Sequence, residues 1–163
     1  MLSKEYRRYE QFAKKELEER GNQVELSSSQ LDVKGVDLVG VNAKGETLGI
    51  YARARFGNYR DITFNGMGAV QKLVANCQKY DNFGCVLHYA TGQGFTDPDS
   101  GIYQTTFINL KAWVADNDYD AEKLRRYLVW KNQNGGFFIL PKPVWEKYAY
   151  KTIEYDPPVA IGM

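Results

Sequence analysis

The sequence predicts one α/β domain built on a mixed central sheet with helices on both faces. The chain has 163 residues, 44% of them apolar, which suits one core and is short of the length at which chains split. Its helical and strand-like periodicities alternate in the order α-β-β-β-α-β-β. Neighbouring strands joined by short turns and a helix that crosses over to a further strand together imply a sheet that is part antiparallel and part parallel.

The elements follow in order. Over residues 3–20, Tyr6, Tyr9, Ala13 and Leu17 recur at steps of three and four, with Ser3 as cap and Gly21 as stop, which predicts an amphipathic helix. Residues 23–27 form a short strand. Residues 36–41 and 47–56 form a hairpin through the turn Asn42-Ala43-Lys44-Gly45. Asn65 caps a second helix whose apolar face is Met67, Val70, Leu73, Val74, Cys77 and Tyr80. Residues 84–89 and 102–110 are strands on either side of a loop rich in turn formers, 91–101. In the last third, Asp120 caps a helix with Leu124, Tyr127 and Leu128, residues 137–140 form a strand, and Pro143 opens a short helix to Tyr148. Residues 155–163, with Pro157-Pro158, are an extended tail. No linker interrupts the chain, so residues 1–115 are the core and 116–163 a C-terminal α/β extension packed on the same domain.

Composition excludes several classes. With 25% charged and 14% aromatic residues and no biased tract, the chain is neither disordered nor collagen-like. Lys and Arg total 21 against 20 for Asp and Glu, a net charge of +1, so it is not a histone-like polybasic protein and any phosphate-binding surface is local. Cys77 and Cys85 are too few for a disulfide framework or a four-ligand zinc site and read as buried thiols in a reducing compartment. The start MLSKEYRRYEQF is charged throughout, and no later run approaches the ~18–20 apolar residues of a membrane span, so the expectation is a cytoplasmic protein without a membrane partner.

Chemistry concentrates in the hairpin. Alternation places Asp37 opposite Val36 and Leu38, and in the second strand it groups Tyr51, Arg53 and Arg55 on one face. Arg60 follows with no acid between it and Tyr51, so three arginines give this stretch a local charge of +3. If Asp37 looks the same way, an acid, a phenol and two guanidiniums line a surface patch suited to phosphates. The competing readings are a strand-start aspartate satisfied by backbone and a solvated basic face. Residues 97–122 hold six acids against Lys111, a local charge of −5, read as a solvated acidic face.

At these residues the sequence resembles the restriction-endonuclease-like, or PD-(D/E)xK, superfamily, most nearly the Mrr-type restriction enzymes and archaeal Holliday-junction resolvases. Gly35-Val36-Asp37-Leu38-Val39 matches the first family motif, the element order matches over residues 3–110, and the segment ending Thr91-Gly92-Gln93-Gly94-Phe95-Thr96 is similar to the T-G-x-F-T loop of Mrr-type enzymes with one residue more. The resemblance implies a restriction-endonuclease-like α-β-β-β-α-β core with an aromatic-rich extension, and Mg²⁺ or Mn²⁺ held by carboxylates. Where the family carries (E/Q)-x-K, this chain has Tyr51-Ala52-Arg53. A phenol replaces the second metal-binding side chain. Arginine replaces the lysine, and it binds phosphate but cannot accept a proton from water.

The resemblance makes Asp37, Tyr51, Arg53 and Glu10 the catalytic positions, with Asp37 and Glu10 as metal ligands, because some members take a ligand from the first helix. Glu46 and Asp32 are further carboxylates without a spacing rationale. Arg53, Arg55, Arg60 and Gln71 are the nucleic-acid contacts, Gln71 matching a glutamine some members place near the phosphate. Two functions follow: a nucleic-acid-binding protein, DNA before RNA, with a degenerate metal site, or an active Mg²⁺- or Mn²⁺-dependent endonuclease. A third is a structural subunit of a larger assembly. Trp113, Trp130, Trp145, Phe137, Phe138, Tyr148 and Tyr150 offer the C-terminal third for core packing or a homo-oligomer contact.

Overall fold

The computed structural model describes residues 4–28, 30, 35–92, 99–133 and 135–161, with side chains from residue 8 onward. Burying Tyr9, Ala13 and Leu17 draws the charged first segment into α1 (Lys4–Glu18), whose apolar stripe lies on a sheet. Ser3, the Tyr6 side chain, Asp32 and residues 93–98 of the T-G-x-F-T loop lie outside the described residues.

An antiparallel run follows: β1 (Gln23–Leu26), β2 (Leu38–Val41) and β3 (Thr47–Phe56). The β2–β3 turn is closed by Asn42, whose Oδ1 accepts from the Lys44 and Glu46 N–H groups, while Gly45 takes φ +81°. Gly40 is required by close approach, since a Cβ there would lie 1.9 Å from the Gln23 carbonyl oxygen on β1.

Next come β4 (Ile62–Asn65), α2 (Ala69–Lys79), β5 (Asn82–Ala90), β6 (Gly101–Ile108) and α3 (Leu110–Asp116). The last third supplies α4 (Ala121–Arg125), β7 (Val129–Lys131), β8 (Phe137–Leu140), α5 (Lys142–Trp145), a 3₁₀ turn (Glu146–Tyr148) and β9 (Ala149–Ala160). Among the described residues six strands form one sheet in the order β1-β2-β3-β5-β6-β9, with β3 and β5 parallel and the other pairs antiparallel. The sheet is therefore mixed, and helices flank it: α1 covers one face with Leu38, Ile50, Ala52 and Val86, while α2 and α3 cover the other with Tyr51, Cys85 and Ile108. The expected order α-β-β-β-α-β is present with one strand, β4, inserted.

Three local expectations are corrected. Asn65 does not cap the second helix. It ends β4, and the helix starts at Ala69 behind Gly68. The strand expected over 102–110 stops at Ile108 because Asn109 accepts from the Ala112 N–H and starts α3. The tail expected from residue 155 is the second half of β9, in which residues 155–158 have no ladder partner and pairing to β6 resumes at Val159 and Ala160.

Strands β4, β8 and β7 form a second, antiparallel sheet in that order. Leu124, Phe138, Leu140 and Trp145 are buried in the same cluster as Tyr51 and Leu73, so the late aromatics Trp145 and Phe138 serve internal packing. No helix among the described residues is long and apolar enough to cross a membrane.

His88, the one histidine, is fully buried on β5. Its Nδ1 is 2.9 Å from Thr105 Oγ1, and Phe12 meets it edge-on at 5.3 Å. Burial pushes its pKa down to about 4, against a smaller upward pull from the Tyr9 backbone. The unfolded chain therefore binds a proton that the folded chain refuses between about pH 6.5 and 4, and stability falls as pH drops through that window. The wild type is expected to lose about 2 kcal/mol more than His88→Gln between pH 7 and pH 5 in urea titrations. Equal losses in the two proteins would show that His88 is not the group responsible.

Candidate functional site

Asp37 sits where β2 and β3 separate. Its backbone is still in the ladder, with its N–H donating to Ile50 and its carbonyl accepting from Ser27. Beyond that point Asp37 Oδ2 takes over as acceptor, from the Ala52 N–H at 2.8 Å and from Arg53 Nη1 at 3.1 Å. The carboxylate thus lies along the opening between the strands. Val36 and Leu38 fall into the two opposite core clusters, so the strict alternation expected through Asp37 does not hold. The reason is that regular pairing of β2 begins only at Leu38.

The expected surface patch is largely interior. Asp37 and Tyr51 are each only 3% exposed, while the Arg53 and Arg55 side chains are 22% and 24% exposed. Tyr51 donates its hydroxyl to the Thr63 carbonyl of β4 and stacks on Phe64 at 5.2 Å. Burial pushes its pKa well above the usual phenol value, only partly offset by Arg53, so it is a neutral core group. The Arg53 guanidinium lies 3.6 Å over the Tyr51 ring. Burial works against its charge, but Tyr51 and Asp37 beside it raise its pKa and hold it protonated. Cys85, paired with Tyr51 on β5, is also buried, and its thiol is pushed up by that burial. It is not a reactive thiolate.

These residues do not fit a divalent metal. A Mg²⁺ or Mn²⁺ site needs several oxygen donors, anionic ones among them, and here one carboxylate faces a guanidinium and a neutral phenol that is already donating. No group of three ligating His, Cys, Asp or Glu side chains occurs among the described residues. Glu10 is buried on α1, whose stripe packs against the Ala52 and Ala54 face of β3, opposite the face carrying Tyr51. Glu46 is exposed in the hairpin turn and accepts from Asn42 Nδ2. Gln71 is exposed on α2, and no described hydrogen bond joins it to Asp37 or Arg53.

Two further arginines lie on the same side of the sheet. Arg55 is held by both oxygens of Asp61 at 3.3 Å and packs 5.5 Å from the Tyr59 ring. Arg60 lies 3.3 Å over the Tyr89 ring and donates to Gln104 at 3.2 Å, and its carbonyl accepts from the Trp145 indole at 2.8 Å. Asp61, Tyr89, Gln104 and Trp145 were not anticipated as part of the site. The one sequence signal was Asp61 itself, directly after the stretch counted as acid-free. With Asp37 and Asp61 included, the three arginines leave a local charge of +1.

Breaking a buried pair is costlier than removing both partners. Arg53→Met is expected to lower unfolding stability by about 3 kcal/mol, and adding Asp37→Asn to recover more than half of that loss in a double-mutant cycle read by chemical denaturation. Simple additivity of the two changes would contradict the pairing.

No family model and no curated protein matches the chain. Among solved structures it is similar to that of Hjc, a Holliday junction resolvase from the archaeal hyperthermophile Archaeoglobus fulgidus, at 13% sequence identity and a TM-score of 0.49 over 92% of this chain and 91% of that chain.

Proposed function

We propose that this chain is a nucleic-acid-binding protein, with DNA as the expected form, built on the nuclease pattern of Asp37 and the following strand but with the metal replaced by an internal cation. The observation that carries this reading is the Arg53 guanidinium 3.1 Å from the buried Asp37 carboxylate and stacked on Tyr51. Those three side chains occupy the motif positions that hold metal and lysine in the family the sequence resembles. A guanidinium there supplies fixed positive charge and bidentate phosphate donors. It does not lower the pKa of a bound water as a metal ion does, and it stays protonated, so hydrolysis has no activated nucleophile.

In this reading the partly exposed edges of Arg53 and Arg55, with Arg60 and Gln71, contact the phosphate backbone. Binding is independent of metal and sensitive to salt, because each phosphate contact releases counterions. The test is fluorescence anisotropy with labelled duplex and branched DNA. Affinity is expected to be the same in EDTA and in Mn²⁺, and its logarithm to fall linearly with the logarithm of salt, with a slope about one unit smaller in Arg60→Ala. Cleavage of any of these substrates that requires Mg²⁺ or Mn²⁺ and disappears in Asp37→Ala would overturn the proposal in favour of an active nuclease.

A further inference from the structure

We infer that the ladder of arginines and tyrosines at the C-terminal ends of β3 and β5 is a stacking platform for unpaired nucleobases, so that the nucleic acid taken is single-stranded or locally unpaired. This rests on the nucleic-acid reading above and adds the substrate class. The ladder continues the same strand face beyond the Asp37–Arg53 pair and takes in two of its arginines, Arg55 and Arg60. Arg55 and Tyr89 are Cα partners across β3 and β5, Arg60 covers Tyr89 at 3.3 Å, and Tyr103 lies against Tyr89 with ring centroids 5.7 Å apart. On the other side Arg55 leads to Tyr59.

A bulge builds this arrangement. Pairing of β6 passes from Ile102 to Gln104 on both its neighbours, leaving Tyr103 without a ladder partner. Gln104 is the partner of Tyr89, and plain alternation would send residue 103 to the opposite face of the sheet. The extra residue instead brings its ring onto Tyr89. The outer members stay in solvent: Tyr59 is 66% exposed and Tyr103 40%.

The guanidiniums are pre-oriented, Arg60 by Gln104 and Arg55 by Asp61, so their planes are fixed before a ligand arrives. The two cations and Asp61 leave a charge of only +1, too little for a track that follows phosphates alone. Flat rings interleaved with held guanidiniums present π faces, which every base can meet without hydrogen-bond readout. A duplex hides its base faces in the stack and cannot use them.

The test compares three labelled probes in the same buffer: an oligothymidylate of about 12 nucleotides, an abasic strand with the same number of phosphates, and a duplex of the same length. The oligothymidylate is expected to bind at least about tenfold tighter than either of the others. Tyr59→Ala and Tyr103→Ala should each weaken it several-fold without changing its salt slope or the affinity of the abasic strand, whereas Tyr103→Phe, which keeps the ring and the bulge, should bind as wild type. Equal affinity for the abasic strand, or tighter binding of the duplex, would overturn the platform and leave nucleic-acid binding standing. Binding of none of the three probes at low salt would remove both, and would favour a protein partner on this face.

Discussion

A carboxylate buried between two diverging strands has to be given donors, and the way Asp37 obtains them sets much of the surrounding structure. The Ala52 N–H and the Arg53 guanidinium both point into the opening between β2 and β3. Holding Arg53 there puts its plane on the Tyr51 ring. That ring is fixed in turn by its hydroxyl on the Thr63 carbonyl and by Phe64, both in β4. The second sheet is thereby tied to the first through Tyr51, the ring on which the guanidinium that neutralises Asp37 rests. Removing one charge from such a pair is destabilising, because the remaining charge has no return to water.

The same pair decides what chemistry is open to the site. A carboxylate, a second anion and a lysine leave room for a cation from solution. A carboxylate, a neutral phenol and an arginine already contain the cation. The charge is then permanent across physiological pH, since both the guanidinium and the phenol are held in their ordinary protonation states by their surroundings. In the proposed reading such a site orients a phosphate through the part of the Arg53 guanidinium that reaches solvent.

The hairpin was legible in the sequence because its causes are local: alternation over ten residues and an Asn-x-x-Gly turn. The motif Gly35-Val36-Asp37-Leu38-Val39 likewise located the carboxylate. What was not legible depended on partners far along the chain. β4 is four residues long and exists by pairing with β8, some seventy residues later, and β9 carries Pro157 and Pro158 in the stretch 155–158 that has no ladder partner, so their missing N–H groups cost no pairing with β6. The basic face lost most of its charge to Asp37 and Asp61, which period-two counting on one strand cannot see. The acidic stretch is the solvated face that was expected: Asp116, Asp118, Asp120 and Glu122 are exposed, with Asp120 capping α4, Asp118 pairing with Lys123 and Asp116 accepting from the Tyr148 hydroxyl.

In the proposed reading Arg53 occupies the place of a metal beside Asp37. Anomalous diffraction from crystals soaked in Mn²⁺ measures this directly. No manganese peak is expected within coordination distance of the Asp37 carboxylate, and the Arg53 guanidinium is expected to remain bonded to it. A manganese ion ligated by Asp37, with Arg53 swung away or a second carboxylate drawn in, would contradict it.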